Sequence, residues 1–129
     1  MLQFILIAHN QAAFEALKTV HEIVRETTPI TALGVGPEES IDSIQNKLAE
    51  ALRSLPAESK VLILTDLYGA TPSNVCESFL KKGRVAMLSG CNMPIVLKAA
   101  TVCFYDDPEN VAAFLREYGQ SNIRVWEGV

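Results

Sequence analysis

His9 and Asp66 are the two residues of this 129-residue chain whose type and setting most invite chemistry. His9 ends an unbroken apolar run, Phe4-Ile5-Leu6-Ile7-Ala8, and Asp66 ends a second, Val61-Leu62-Ile63-Leu64-Thr65. Runs of this kind read as strands covered on both faces, and open α/β sheets bind ligands beyond the carboxyl ends of such strands. A carboxylate beside a neutral imidazole accepts from one ring nitrogen, fixes the tautomer and leaves the other nitrogen free to attack. The same carboxylate stabilises the cation formed when that free nitrogen takes up a proton or a phosphoryl group. Asp66 is expected to orient and His9 to react. Around them lie the parts an anion needs. Gly69 permits close backbone approach, and a helix beginning at Thr71-Pro72 aims free N–H groups and its positive dipole end outward, with the Thr71 hydroxyl beside them. Gly69, Ala70 and Thr71 are therefore the expected phosphate-binding stretch.

These residues meet only if the intervening elements set the two strands side by side. Ala13, Leu17, Val20 and Val24 recur at helical spacing directly after the first strand, with Glu15, Lys18, Glu22 and Glu26 on the other side. Asn10 is placed to cap that helix, and Pro29 to stop it. Residues 30–35 read as a second strand. Ile41, Ile44, Leu48, Ala51, Leu52 and Leu55 form the stripe of a second helix, with Ser40 as N-cap and Pro56 beyond its end. After Asp66, Thr71 is expected to cap a helix that begins at Pro72 and ends at Lys81-Lys82-Gly83. Residues 85–88 read as a fourth strand, Pro94 starts a further helix, and Asp106-Asp107-Pro108 opens the last one. Ile123, Val125 and Trp126 alternate with Asn122, Arg124 and Glu127, the pattern of a half-exposed antiparallel edge strand. Successive βα units imply right-handed crossovers and a mainly parallel sheet. In the order 2-1-3-4, common among small doubly wound sheets, strands one and three are neighbours, which places His9 beside Asp66 where the winding reverses. The expected fold is a single α/β domain over residues 1–129, an open doubly wound sheet.

Composition narrows the function. The formal net charge is −4, and the 11 Lys and Arg are scattered singly apart from Lys81-Lys82, so a nucleic-acid partner is not expected. The apolar start is only a strand's length and no basic segment precedes it, so neither a signal peptide nor direct membrane insertion is expected, and a cytoplasmic location is the default. Cys76, Cys91 and Cys103 are odd in number and set in apolar surroundings, which reads as reduced core thiols. With two histidines and no close Cys/His spacing, no metal is expected. No cofactor is expected either: the chain has no P-loop motif, and no Ser/Thr/Gly-rich phosphate loop of the flavodoxin kind follows the first strand. Phosphoryl transfer depends mainly on positioning and charge stabilisation, which a histidine, a carboxylate and a helix start supply.

The histidine ending the first strand, the segment Asp66-Leu67-Tyr68-Gly69-Ala70-Thr71-Pro72-Ser73-Asn74 and the segment Ser89-Gly90-Cys91-Asn92-Met93-Pro94 together resemble the mannose-type IIA component of the bacterial phosphoenolpyruvate-dependent sugar phosphotransferase system. The resemblance runs over nearly the whole chain, and its specificity lies in the second segment. It implies that His9 accepts a phosphoryl group from the phosphocarrier protein HPr and passes it to a IIB protein, that Asp66 orients His9, and that Thr71 stands beside the phosphohistidine. It also implies a homodimer that exchanges its C-terminal strand, here Asn122 to Glu127. One departure is Asn10, where the family commonly has glycine.

A lone histidine at a strand end is more often structural than reactive; the convergence of Asp66 and the Thr71-Pro72 helix start is what favours chemistry for His9. His21 falls at the edge of the apolar stripe and is read as a boundary residue. Cys91 and Asn92 either line the crevice or shape its loop, and Trp126 is expected to pack at the dimer interface. The alternative reading is a regulatory phosphorylation-state sensor in which His9 controls a partner outside transport. A His/Asp hydrolase is weaker, because no serine sits on a G-x-S-x-G elbow. A phosphotransfer subunit serving dihydroxyacetone kinase is disfavoured by Pro72-Ser73-Asn74.

Overall fold

The computed structural model describes residues 1–128. Strand and helix alternate as β1 (Gln3–His9), α1 (Ala12–Ile23), β2 (Ile30–Val35), α2 (Ile41–Arg53), β3 (Val61–Thr65), α3 (Thr71–Cys76), β4 (Val85–Leu88), α4 (Met93–Thr101) and α5 (Pro108–Ser121), with a 3-10 turn at Glu77–Phe79. The four strands are parallel, in the expected order β2-β1-β3-β4.

Alternation along the central strands divides the core into two layers. Phe4, Leu6 and Ala8 of β1 and Leu62 and Leu64 of β3 pack with α1, α4 and α5. Ile5, Ile7 and Ile63 face the other way, against α2 and α3. Each fully buried aliphatic side chain contributes roughly 1.5–3 kcal/mol, and β1 and β3 carry them on both faces. The edge strands β2 and β4 are mostly half-buried. The two strands that end at the candidate site are thus held more firmly than any others. Their helices leave to opposite sides, so a crevice opens beyond β1 and β3, as the 2-1-3-4 order requires.

Local signals in the sequence fix several boundaries. Ser40 caps α2, its hydroxyl accepting from the Ser43 N–H at 3.1 Å. Asn92 caps α4 by accepting from the Ile95 N–H at 3.1 Å, and its amide donates to the Gly119 carbonyl of α5 at 3.0 Å. A side chain at Gly119 would run into Ile95 and force its side chain aside, so glycine lets the two helices approach closely.

Other expectations are corrected. Asn10 does not cap α1. It lies at φ 52°, in the left-handed region, and Gln11 takes the cap position without a side-chain hydrogen bond. Asn tolerates that region better than most residues other than glycine, which accounts for Asn standing where the resemblance has Gly. α1 ends at Ile23, well before Pro29, because the chain turns extended at Val24 and the Thr28 N–H is drawn to the Ala100 carbonyl. Thr71 is the first residue of α3 and does not cap it; Ala70 holds that position. α3 is also short. After the 3-10 turn the chain is extended at Leu80, and Lys81 pairs with Val85 across a turn in which Gly83 has φ 79°. Lys81-Lys82-Gly83 therefore leads into β4 and does not close a helix; strand pairing overrides the helical pattern. Cys103 is exposed, whereas Cys76 is buried and Cys91 half-buried; all three are free thiols. The segment Asn122 to Glu127 forms no strand within the chain. A strand exists only through hydrogen bonds to a neighbour, and this segment is exposed without one.

Gly34 lies where α1 begins against the sheet: a Cβ there would meet the Asn10 carbonyl oxygen and sit 3.0 Å from Phe14 Cε2. Gly34→Ala is expected to destabilise the fold by about 1–3 kcal/mol through overpacking against backbone, read from the urea midpoint. An unchanged midpoint would mean that the start of α1 yields freely.

Candidate functional site

β1 and β3 are paired in register through Ile7 and Thr65, so the chain leaves the sheet on both strands at nearly the same level. Beyond the last ladder pair the His9 main-chain N–H needs an acceptor. It donates to Asp66 Oδ2 at 3.0 Å, and the same oxygen lies 2.8 Å from His9 Nδ1. An ionised carboxylate can only accept, so Nδ1 carries the proton and donates. In the neutral ring Nε2 is then the nitrogen with the free lone pair, and it makes no hydrogen bond among the described residues. The His9 side chain is 39% exposed. The result is a partly exposed imidazole held through Nδ1, with Nε2 left without a partner among the described residues.

Asp66 is under opposing influences. Burial pushes its carboxyl upward, while the His9 main-chain N–H, the His9 ring and its charge pull it down; the pull wins, and the carboxyl titrates below its ordinary 3.8. Its second oxygen, Oδ1, is buried with no hydrogen-bond partner among the described residues. All of the side chain's hydrogen bonding therefore goes through Oδ2 and into one residue. On the α1 and α4 side, Asp66 borders a cavity of about 200 Å³ with Ala8, Ala12, Cys91 and Asn92. Cys91 and Asn92 thus border a cavity beside Asp66 while also shaping their loop. Burial pushes the Cys91 thiol up to about 12, so it remains protonated.

The loop after Asp66 carries the other expected site residues. Gly69 has φ 77°, and a side chain there would meet nothing within 4 Å. Glycine is thus required for the backbone conformation, not to make room in the unliganded fold. Ala70 and Thr71 follow at the start of α3, and Thr71 is exposed. Among the described residues no hydrogen bond joins Gly69, Ala70 or Thr71 to His9 or Asp66. The structure therefore brings His9 and Asp66 together and sets these three in the adjoining loop.

Two features of the site escaped sequence reading. The first is a cluster of hydroxyls beneath the loop: Thr65 Oγ1 and Ser73 Oγ are 3.0 Å apart, Thr65 donates to Ser89 Oγ at 2.9 Å, and Ser73 donates to the Leu67 carbonyl. Their signal was visible as single hydroxyl residues closing aliphatic strands and beside Pro72, but nothing in the spacing shows that the three converge. The second is a brace on the β2 side. Lys47 Nζ donates to the Gly34 carbonyl at 2.6 Å and to Glu39 Oε1 at 3.0 Å and lies 2.9 Å from Oε2 as an ion pair; the Gly36 N–H donates to Oε1 and the Ser43 hydroxyl to Oε2. Those bonds, led by Lys47, bring the Glu39 carboxyl down to about 2. Lys47 lines an open cleft of about 590 Å³ with Asn10, Gln11 and Phe14, but its charge is already engaged. His21 is exposed and lies 3.3 Å from the Thr27 hydroxyl, away from the site.

Among the described residues no cluster of three or more His, Cys, Asp or Glu side chains is placed to hold a metal ion, and no helix is long and apolar enough to cross a membrane.

The family model described as PTS system fructose IIA component matches residues 3–115. The fructose-specific EIIA component of the Bacillus subtilis (strain 168) PTS is 30% identical over 103 residues, which span 79% of this chain and 70% of that protein. The sorbose-specific EIIA component of Lacticaseibacillus casei is 29% identical over 100 residues, 77% of this chain and 72% of that one. The structure of a mannose/sorbose specific IIA subunit from Enterococcus faecalis superposes with a TM-score of 0.85 at 26% identity, covering 98% of this chain and 96% of that one.

The lowered Asp66 carboxyl fixes a pH dependence. The group is charged more readily folded than unfolded, so its stabilising contribution is complete above the ordinary 3.8 and is lost as pH falls through the lowered value. Carboxyl carbon resonances followed through an acid titration should place the Asp66 midpoint below 3.8, with the His9 Nδ1–H signal broadening over the same range. A midpoint above 3.8 would contradict the pairing.

Proposed function

The chain belongs to the fructose/mannose-type IIA family of the bacterial sugar phosphotransferase system, and from that premise we propose that it is a phosphohistidine carrier, taking a phosphoryl group from HPr onto His9 and passing it to a IIB protein. The observation that carries the reading is the double hydrogen bond from His9 to one oxygen of Asp66. It holds Nδ1 protonated and leaves Nε2 as the nucleophile.

The transfer balances simply. The Nε2 lone pair of His9 forms the new N–P bond while the P–N bond of the donor phosphohistidine breaks, its electron pair returning to the donor ring. Nδ1 keeps its proton throughout and continues to donate to Asp66, whose charge offsets the positive charge developing on the imidazole. Little further covalent chemistry is asked of the protein, because phosphoryl transfer is governed by in-line placement and charge stabilisation. The loop Gly69-Ala70-Thr71 is proposed to receive the phosphoryl oxygens. Its glycine adopts a left-handed turn that most side chains enter only with strain, and the opening N–H groups of α3 and the exposed Thr71 hydroxyl lie there. Delivery to IIB is the reverse attack by the acceptor's nucleophile, after which His9 is regenerated in the same tautomer.

The working unit is proposed to be a homodimer. Val125 and Trp126 are 88% and 91% exposed, and β4, paired with β3, meets only the Lys81 bridge at Val85 on its other edge among the described residues. A tail with alternating apolar residues and a sheet with a free edge answer each other across two copies better than either answers water.

Radiolabelled phosphoenolpyruvate, enzyme I and HPr should load acid-labile, alkali-stable phosphate on the wild type and none on a folded His9→Ala variant. Asp66→Asn should slow loading without abolishing it, and addition of IIB should discharge the label. Absence of label on folded wild type would overturn the carrier reading, and label retained in the presence of IIB would overturn the transport role. Trp126 is the single tryptophan, so its emission reports the tail directly. Emission is expected to be blue-shifted and protected from iodide, shifting red on dilution; emission of exposed indole at every concentration would refute the exchanged dimer.

A further inference from the structure

We propose that Ser73 is a positioning residue for the transfer: its buried hydroxyl, held against Thr65 and Ser89 and donating to the Leu67 carbonyl, sets the path of the Asp66 loop and through it the hold of Asp66 on His9. The proposal deepens the carrier reading above and rests on it.

Among the described residues, Thr65 and Ser73 are the polar side chains of the fully buried set, at 0% and 2% exposure, and they contact each other. Neither is there for volume: the surrounding layer is aliphatic, and alanine or valine would fill such space without a hydrogen to place. Each hydroxyl nevertheless has partners, and the partners lie on three separate segments. Thr65 ends β3, Ser73 is in the first turn of α3, and Ser89 follows β4. Their protons have a consistent arrangement, Ser73 to the Leu67 carbonyl, Thr65 to Ser89, and Ser89 back toward Ser73 at 3.5 Å.

This cluster grips the loop at its base. Thr65 and Ser73 flank the stretch 66–72 on either side, and the Leu67 carbonyl, the first acceptor after Asp66, is held by Ser73. The Thr65 carbonyl is held in turn by the Cys91 N–H at 3.0 Å. Asp66 is therefore clamped through the backbone immediately before and after it, by bonds whose Thr65 and Ser73 ends are buried. A second brace on the loop, from the Asn74 amide to the Gly69 carbonyl at 3.2 Å, is exposed and competes with solvent. Because the chain's phosphoryl chemistry rests on placement, a displacement of Asp66 on the order of 1 Å is enough to change the rate substantially.

The test reads the His9 ring before it reads transfer. In nitrogen-15-labelled protein, long-range proton–nitrogen correlations report which ring nitrogen holds the hydrogen. The wild type is expected to show one tautomer, protonated at Nδ1. Ser73→Ala is expected to remain folded, to show averaged ring-nitrogen shifts, and to take up phosphoryl from phospho-HPr about tenfold more slowly in a single turnover. Ser78→Ala, which removes a hydroxyl that donates to the Val75 carbonyl at 3.2 Å from the 3-10 turn after α3, should match the wild type in both readouts. Wild-type ring shifts together with a rate within twofold of wild type in folded Ser73→Ala would overturn the proposal. Should Ser73→Ala not fold, Ser73→Cys decides, since a thiol fills the same space but donates only weakly to the Leu67 carbonyl. Ring shifts moved in the same direction support the proposal, and unmoved shifts overturn it. The ring spectrum needs no HPr, so a wild type that takes up no phosphoryl group would defeat the carrier reading while the positioning role of Ser73 is still decided by the tautomer.

Discussion

One oxygen of one carboxylate organises this molecule's chemistry. Asp66 Oδ2 accepts both the ring Nδ1–H and the main-chain N–H of His9, so a single acceptor fixes where the histidine's backbone stops and how its imidazole is turned. The two bonds reinforce each other geometrically, since the main-chain N–H holds the oxygen within reach of the ring Nδ1–H. They also carry the electrostatics: a carboxyl whose other oxygen is buried and unpaired stays ionised below its usual range because both hydrogens point at the remaining one. Charge-assisted bonds to a partly buried acceptor are the stronger kind. Remove the sheet order that makes β1 and β3 neighbours and this contact has no other route, because the residues are far apart in sequence.

What steadies Asp66 is as instructive as what it touches. The aliphatic residues of β1 and β3 hold the strands by burial on both faces, a force without direction. Direction comes from the few polar groups admitted to that core, the Thr65 and Ser73 hydroxyls, which tie the turn after β3 to the neighbouring segments. A second polar brace, Lys47 with Glu39 and the Gly34 carbonyl, secures the end of β2, the strand that lies on the other side of β1. His9 thus stands between two fixed turns.

The turn following His9 shows why a departure from a family pattern can be harmless to the fold. The backbone at Asn10 is left-handed, a conformation that glycine adopts freely and that asparagine tolerates better than most. In the sequence alone Asn10 reads as a helix cap, because cap and left-handed turn draw on the same short polar side chains. Only the dihedral angle distinguishes them. The same ambiguity misplaced Thr71 as a cap when it is the first helical residue, and it let Lys81-Lys82-Gly83 pass for a helix end when pairing of Lys81 with Val85 had claimed that backbone.

Hydrophobic periodicity determined the four sheet strands, most of the helices and their order along the chain, because burial selects residue type one position at a time and leaves its record along the chain. The bounds of β2, the Ser40 cap of α2 and the parallel order 2-1-3-4 were legible for that reason. So was the pair His9 and Asp66, since chain topology alone carries two central strands to one edge. The tertiary structure decided which oxygen of Asp66 is used, that it serves both nitrogens of His9, and that Thr65, Ser73 and Ser89 meet beneath the loop. Those are matters of direction at the scale of a single hydrogen bond, between residues distant in sequence, and no spacing along a chain encodes them.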